Sequence, residues 1–189
     1  MAIIYVLVSY LIGTIMTAYV VMKIMKGTDI RKLGSGNVGA RNAGRLLGKK
    51  GFLLTAFGDV LKGVLVVFGA KYFGFSLDIQ VLSLIAAVVG HIWPVTLKFK
   101  GGKGIATAAG GLLVLAYQPF IIFGGIFLFL LAILRSFTLA GMTAFVTIPF
   151  IYWFMNYSIR ECILVFIVIA LLLFAHRDNL KEKLEQKLN

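Results

Sequence analysis

"IATAAGGLLVLAYQPFIIFGGIFLFLLAIL", Ile105–Leu134, runs for 30 residues without a charge, and the number of times it crosses a bilayer decides the fold. As one helix rising 1.5 Å per residue it would reach ~45 Å, well past the ~30 Å of a hydrocarbon core. Tyr117, Gln118 and Pro119 lie inside it. Proline cannot continue a helical ladder and restricts the residue before it. The stretch therefore reads as two short helices, near 105–117 and 119–134.

Similar apolar runs fill the rest of the chain, giving helices near 3–22, 52–70, 79–97, 137–155 and 159–176. Of the 189 residues, 60% are hydrophobic and the mean hydropathy is +0.98, far above soluble averages. The expected fold class is all-α: a polytopic membrane protein with seven transmembrane helices, residues 1–189 forming a single integral-membrane domain.

Charge placement checks that count independently. With the N-terminus outside, Lys23, Lys26, Arg31, Lys32, Arg41, Arg45, Lys49, Lys50, Lys98, Lys100, Lys103, Arg135, Arg177, Lys181, Lys183 and Lys187 all fall in segments 23–51, 98–104, 135–137 and 176–189 on the cytoplasmic side. Only Lys71 and Arg160 lie outside, and Lys62 stays within a helix. Sixteen against two is a strong positive-inside signal, whereas six helices would put Arg135 and the tail on the wrong side. Topology thus accounts for the net charge of +12, which in a soluble chain would point to nucleic acid. The first run has its cations after it, the pattern of a retained helix and not of a cleaved signal. The one cysteine, Cys162, sits in an apolar run; it excludes an internal disulfide or a Cys-based metal site and reads as a small buried hydrophobe.

The unusual polar residues gather on the cytoplasmic side. In "GSGNVGARNAGR" (34–45), Gly34, Gly36 and Gly39 spell G-x-G-x-x-G, with Asp59 20 residues further on. A dinucleotide site is rejected, because that motif works between a strand and a helix of a parallel sheet, and here it follows a transmembrane run. Gly102 and Lys103 are followed by glycine, so no P-loop is present. What remains is the physics those motifs share: glycines that let the backbone approach an oxyanion, N–H nests, and cations. "FKGGKGIATAAGG" (99–111) repeats the pattern, with Lys100, Gly101, Gly102, Lys103 and Gly104 leading into a helix expected near Ile105, whose N-terminus favours phosphate. Each charge-assisted hydrogen bond to such an anion contributes ~1.5 to 3 kcal/mol before losses. Glycine turns and lysines belong to any cytoplasmic loop, but Ser35, Asn37, Asn42 and Asn179 are called for by neither topology nor packing, and they donate to phosphate oxygens.

Within the apolar runs, Asp59 and Lys62 are three apart and share a helix face. Because a lone mid-membrane charge is costly, they read first as a structural pair. His91, in an apolar helix, reads first as a hydrogen-bonded interior residue. His176 instead closes the last helix beside Arg177, Asp178 and Asn179, where a functional part is expected. Leu180, Leu184 and Leu188 form one stripe in the tail, read as a short amphipathic helix on the interface.

With these residues assembled, the chain resembles the bacterial acyl-phosphate:glycerol-3-phosphate acyltransferases, the PlsY family. "GSGNVGARN" is similar to the family's S-G-N-x-G-x-x-N motif at Ser35, Asn37, Gly39 and Asn42, followed by Arg45. "GDVLKG" (58–63) resembles its acidic and lysine element. "GHIWPVTLKFKGGKGIAT" (90–107) matches the second motif at His91, Pro94, Phe99, Lys100, Gly101, Gly102, Lys103, Gly104, Ala106 and Thr107. "HRDN" (176–179) resembles the closing His-Arg-x-Asn. "RSFTLAG" (135–141) keeps Arg135, Leu139 and Ala140, with Thr138 where serine is expected and Gly141 where serine is common.

The resemblance implies seven helices, an outside N-terminus, a cytoplasmic C-terminus and a multi-pass protein of the bacterial inner membrane with its active site facing the cytoplasm. It implies transfer of a fatty acyl group from acyl phosphate to the 1-hydroxyl of sn-glycerol 3-phosphate, giving lysophosphatidic acid and phosphate in phospholipid biosynthesis. It also implies a catalytic set of Ser35, Arg45, Lys103, His176 and Asn179. The substrate-binding set adds Gly34, Gly36, Asn37, Gly39, Asn42, His91, Lys100, Gly101, Gly102, Gly104, Thr107 and Thr138. Chemistry agrees: an acyl phosphate is already activated, so positioning and charge stabilisation suffice without a covalent nucleophile. The H-x-x-x-x-D class is excluded, since Thr96 follows His91 by five and Lys181 follows His176 by five. The proton acceptor is either His176 or the substrate's own phosphate. No cofactor or metal is expected, and the partners are the bilayer and the two small substrates. Oligomeric state stays open, a monomer being sufficient. The alternative reading is a small transporter for a phosphorylated solute, which would spread charges through several helices.

Overall fold

The computed structural model describes residues 1–188, with side chains through residue 181. Among the described residues every regular element is helical. Six segments are long and apolar enough to cross a membrane, and one further apolar helix is shorter. Contacts gather the helices into two compact units, Met1–Leu115 and the remainder from Ala116 onward.

In the first unit, the helix expected over 3–22 is broken in two: α1 spans Ala2–Gly13 and α2 Thr17–Lys26. The break strands three carbonyls, and each finds a donor. Lys62 Nζ reaches Gly13 O at 3.1 Å and Ile15 O at 3.0 Å, and the Thr96 hydroxyl donates to Thr14 O at 3.1 Å. Non-helical backbone at membrane depth is tolerated only where protein groups re-satisfy it in this way.

Helix α3 spans Ala40–Tyr72 and bends at Gly48, which takes a positive φ of 68°. It therefore begins twelve residues before the expected start at 52, so Arg41, Asn42 and Arg45 are helical where a loop was expected. Helix α4 spans Leu77–Ile92 and is followed by a 3-10 turn, Val95–Leu97, which ends the helix five residues short of the expected 97. Helix α5 spans Ile105–Leu115, about 16 Å at 1.5 Å per residue, half a hydrocarbon layer.

Helix α3 packs on α2, α4 and α5, and α1 packs on α4. The closeness of these pairs comes from glycine. A Cβ on Gly63 would stand 2.0 Å from Thr107 O, one on Gly110 2.2 Å from Val60 O, and one on Gly13 2.2 Å from Ala87 O. Carbon atoms do not approach oxygen so closely, so these helices touch backbone to backbone, the small-residue packing that replaces hydrophobic drive in lipid.

In the second unit, α6 spans Tyr117–Leu134, α7 Phe137–Phe154 and α8 Ile159–Leu188. The expected interruption at 117–119 falls instead at Ala116, an extended residue. Pro119 occupies the first turn of α6, where a missing N–H costs no helical bond. Helix α8 continues through the tail to Leu188, not stopping at 176 as expected; the side chains of Leu184 and Leu188 lie outside the described residues. Helix α7 packs on both neighbours, and on α6 through aromatic rings, with Phe123 and Phe145 4.7 Å apart and Phe127 and Phe137 5.2 Å apart. Cys162 is buried, as expected.

Candidate active site

Two glycine-rich loops of the first unit lie side by side. The first leaves α2 at Gly27 and passes through a 3-10 turn, Ile30–Lys32. Asp29 caps that turn by accepting from Arg31 N at 3.0 Å, and its carboxylate takes the Arg31 guanidinium at 2.7 Å. That charged hydrogen bond pulls the Asp29 carboxyl down to about 2, and raises Arg31 in turn. The guanidinium also donates to Leu97 O at 2.9 Å, clamping the first loop to the second. Sequence reading passed over this clamp, although an Asp-x-Arg pair in a short polar segment was a legible sign.

Further along, Gly34 and Gly36 adopt φ of 59° and 71°, and a Cβ on Gly34 would stand 2.3 Å from Asn42 Oδ1. Buried Asn42 accounts for that crowding. Its Oδ1 accepts from Ser35 N at 3.0 Å, while Nδ2 donates to Leu33 O and Asn37 O, both at 3.1 Å. Its amide is spent bracing the loop, which leaves Ser35 exposed at the crest and Asn37 half-buried. Gly39 is the extended residue that opens α3, and Arg45 stands exposed on the early turns of that helix.

The second loop turns sharply at Lys98 and Phe99, both with positive φ. Gly102 N then donates to His91 O at 3.0 Å, and Val38 N donates to Gly101 O at 3.3 Å, joining the two loops. Gly104 O accepts from Ala108 N at 2.8 Å, which starts α5 at Ile105 as the sequence reading expected. Lys100 is exposed and Lys103 half-buried. Ser35, Asn37, Arg45 and the loop glycines are thus carried by two segments that hydrogen-bond to each other.

His91 and Thr107 lie beneath, not on, this surface; they are 3% and 0% exposed. Lys62 Nζ donates to Gly13 O and Ile15 O and lies 2.7 Å from His91 Nδ1. Asp59 lies 3.2 Å from the same ammonium but is poorly angled for a hydrogen bond, so it serves as the counter-charge. Thr107 Oγ1 stands 3.4 Å from His91 Nδ1. The expected Asp59–Lys62 pair is present, and its partners are the α1–α2 break and His91.

In the second unit, Arg135 ends α6 with a φ of 49° and Ser136 caps α7; Thr138, half-buried, falls in the first turn of α7. On α8, His176 is buried and its Nδ1 donates to Leu172 O at 2.9 Å. When neutral, that ring carries its lone pair on Nε2. Asn179 follows at i+3, half-buried, on the same side of the helix.

These elements define a multi-span, all-helical membrane protein whose polar chemistry is concentrated in paired glycine-rich, basic loops. Residues 3–186 match the family model for glycerol-3-phosphate acyltransferase. Glycerol-3-phosphate acyltransferase 1 of Desulfitobacterium hafniense is 43% identical over 178 residues, 94% of this chain and 88% of that protein. The Bacillus cereus protein of the same name is also 43% identical, over 94% and 98% of the two chains. Crystal structures of PlsY (YgiH), an integral membrane glycerol 3-phosphate acyltransferase, in a glycerol 3-phosphate form and a lysophosphatidic acid form, share 34% identity with this chain. They superpose with TM-scores of 0.87 and 0.86, covering 98% of this chain and 92% of theirs. The chain belongs to the glycerol-3-phosphate acyltransferase family. That membership favours an acyltransferase over the transporter alternative.

Proposed function

We propose that this enzyme moves a fatty acyl group from acyl phosphate to the 1-hydroxyl of sn-glycerol 3-phosphate, releasing phosphate and lysophosphatidic acid. The observation that carries the reading is the hydrogen-bonded pairing of the two loops, Val38 N to Gly101 O and Arg31 to Leu97 O. It gathers backbone N–H groups, Ser35, Asn37, Arg45 and Lys103 into one cationic region suited to phosphate oxygens. His176 and Asn179, on α8, are the remaining catalytic residues of this reading. The helix start at Ile105 and the glycines at 34, 36, 39, 101, 102 and 104 supply the anion nests. Lys100 and Thr138 are assigned to substrate binding, while Asn42, Thr107 and His91 support the paired loops.

The charge asymmetry supports a cytoplasmic site, an outside N-terminus and a bacterial inner-membrane location. Catalysis rests on orienting the acceptor hydroxyl against the activated acyl carbon and on neutralising the departing phosphate. His176 Nε2, or the donor's own phosphate, takes the hydroxyl proton.

The test is phosphate release by purified protein in lipid, given palmitoyl phosphate with and without glycerol 3-phosphate. Acceptor-dependent release with lysophosphatidic acid formed is expected. Arg45→Ala should lose about 10- to 100-fold in kcat/KM, the worth of one charge-assisted phosphate contact. A rate retained in His176→Ala assigns the proton to the substrate phosphate. No turnover by folded wild type overturns the reading.

A further inference from the structure

Buried below the loops, His91 connects two things that have no other reason to meet: the Lys62 ammonium at 2.7 Å on its Nδ1 side, and the second glycine loop on its Nε2 side. A Cβ on Gly102 would stand 2.2 Å from His91 Nε2 and 2.6 Å from Val38 O. The Nε2 edge is therefore pressed against the loop backbone where the two loops join, and only a glycine at 102 leaves room for it.

An ammonium has protons to give and no lone pair to accept with, so a ring nitrogen at 2.7 Å from it must be the unprotonated one. The Asp59 carboxylate, 3.2 Å from the same nitrogen, supplies the counter-charge that a buried ammonium requires. We infer that Lys62, held by Asp59 and the α1–α2 break, is a positioning residue that locks His91 in the Nε2–H tautomer and so turns an N–H donor toward the backbone where the two loops meet, bracing them from below for substrate phosphate. The inference rests on the reading of those loops as a phosphate site. The same ammonium satisfies the Gly13 and Ile15 carbonyls of the α1–α2 break; fixing the ring's proton is a second duty, which a hydrophobic pair could not perform.

Two measurements test it. The first needs no turnover: nitrogen NMR of histidine-labelled protein in detergent, with His91→Asn assigning the signal. An unprotonated Nδ1 and a protonated Nε2, whose signal moves when glycerol 3-phosphate is added, are expected. A neutral Lys62 amine accepting from Nδ1–H would give the opposite tautomer and overturn the inference, as would a doubly protonated ring. The second is kinetic, on Asp59→Asn/Lys62→Met, which removes both charges together and so leaves neither buried alone. Folded double variant should show mixed tautomers and a KM for glycerol 3-phosphate raised about 10-fold, the worth of one hydrogen bond bracing the loops, with kcat changed far less. An unchanged KM, or a fall confined to kcat, overturns the inference. Should wild type fail to turn over, the proposed function fails while the tautomer result still stands or falls alone.

Discussion

The two units solve the same problem, holding helices together in lipid, in opposite ways. The first removes side chains: glycines at 13, 63, 90 and 110 bring carbonyl oxygens to within 2.0–2.2 Å of where a Cβ would be, and the buried side chains of Asn42 and Lys62 are hydrogen-bonded to backbone. The second adds side chains, packing phenylalanine rings of α6 and α7 at 4.7–5.2 Å. Gly124 and Gly125, in contrast, face open space. A backbone-to-backbone contact has no soft atoms to move, so the unit bearing the paired loops is the stiffer one. That suits a site whose work is positioning.

The sharpest way to break the comparison is one substitution made in both places. Gly63→Ala should cost more than ~4 kcal/mol or prevent folding, because the new methyl meets Thr107 O. Gly124→Ala should stay within about 0.5 kcal/mol, in thermal unfolding in detergent. Equal effects would end the distinction. Next in size, Lys62→Met alone should cost about 3 to 5 kcal/mol, since it strands the buried Asp59 carboxylate. Adding Asp59→Asn should recover part of that loss, read from the same unfolding curves. Phe145→Ala in the second unit should fall below the ~3–5 kcal/mol of a soluble core, because lipid replaces water as the competing solvent for the ring.

The smallest effect concerns Asp29. Its carboxyl is held at about 2, below an ordinary value of ~3.9, so the Arg31 pair stabilises the folded state above about pH 4. That stabilisation is lost as pH falls through about 2. Asp29→Asn should therefore lower the unfolding temperature slightly at neutral pH, by no more than about 1 kcal/mol for so exposed a pair. The gap to wild type should close between about pH 4 and pH 2.

Helix positions and site loops were legible from sequence because their causes are local. Apolar runs mark spans, and the start of α5 at Ile105 follows from the glycines before it. What was not legible has distant causes. The break at 14–16 exists because Lys62, 49 residues from Gly13, supplies the protons it needs. Asn42 was read as a phosphate donor because its side chain is suited to that, yet from the first turn of α3 both its amide protons go to the loop before it, to Leu33 O and Asn37 O. The glycines inside the helices did leave a trace, small residues such as Gly13, Gly63, Gly90 and Gly110 within apolar runs. Attention to loops passed over them.

The break between α1 and α2 also bears on how the chain is built into a bilayer. Segment 2–26 reaches the membrane before residue 62 has been delivered. On its own in lipid its three central carbonyls are satisfied only if the helix runs straight through. Its first inserted form is therefore one continuous rod, and the bend is made later, when the third helix arrives and its ammonium draws those carbonyls out of line. Assembly of the first two spans thus includes a remodelling step, and a truncated chain stopping before Lys62 would retain the straight precursor.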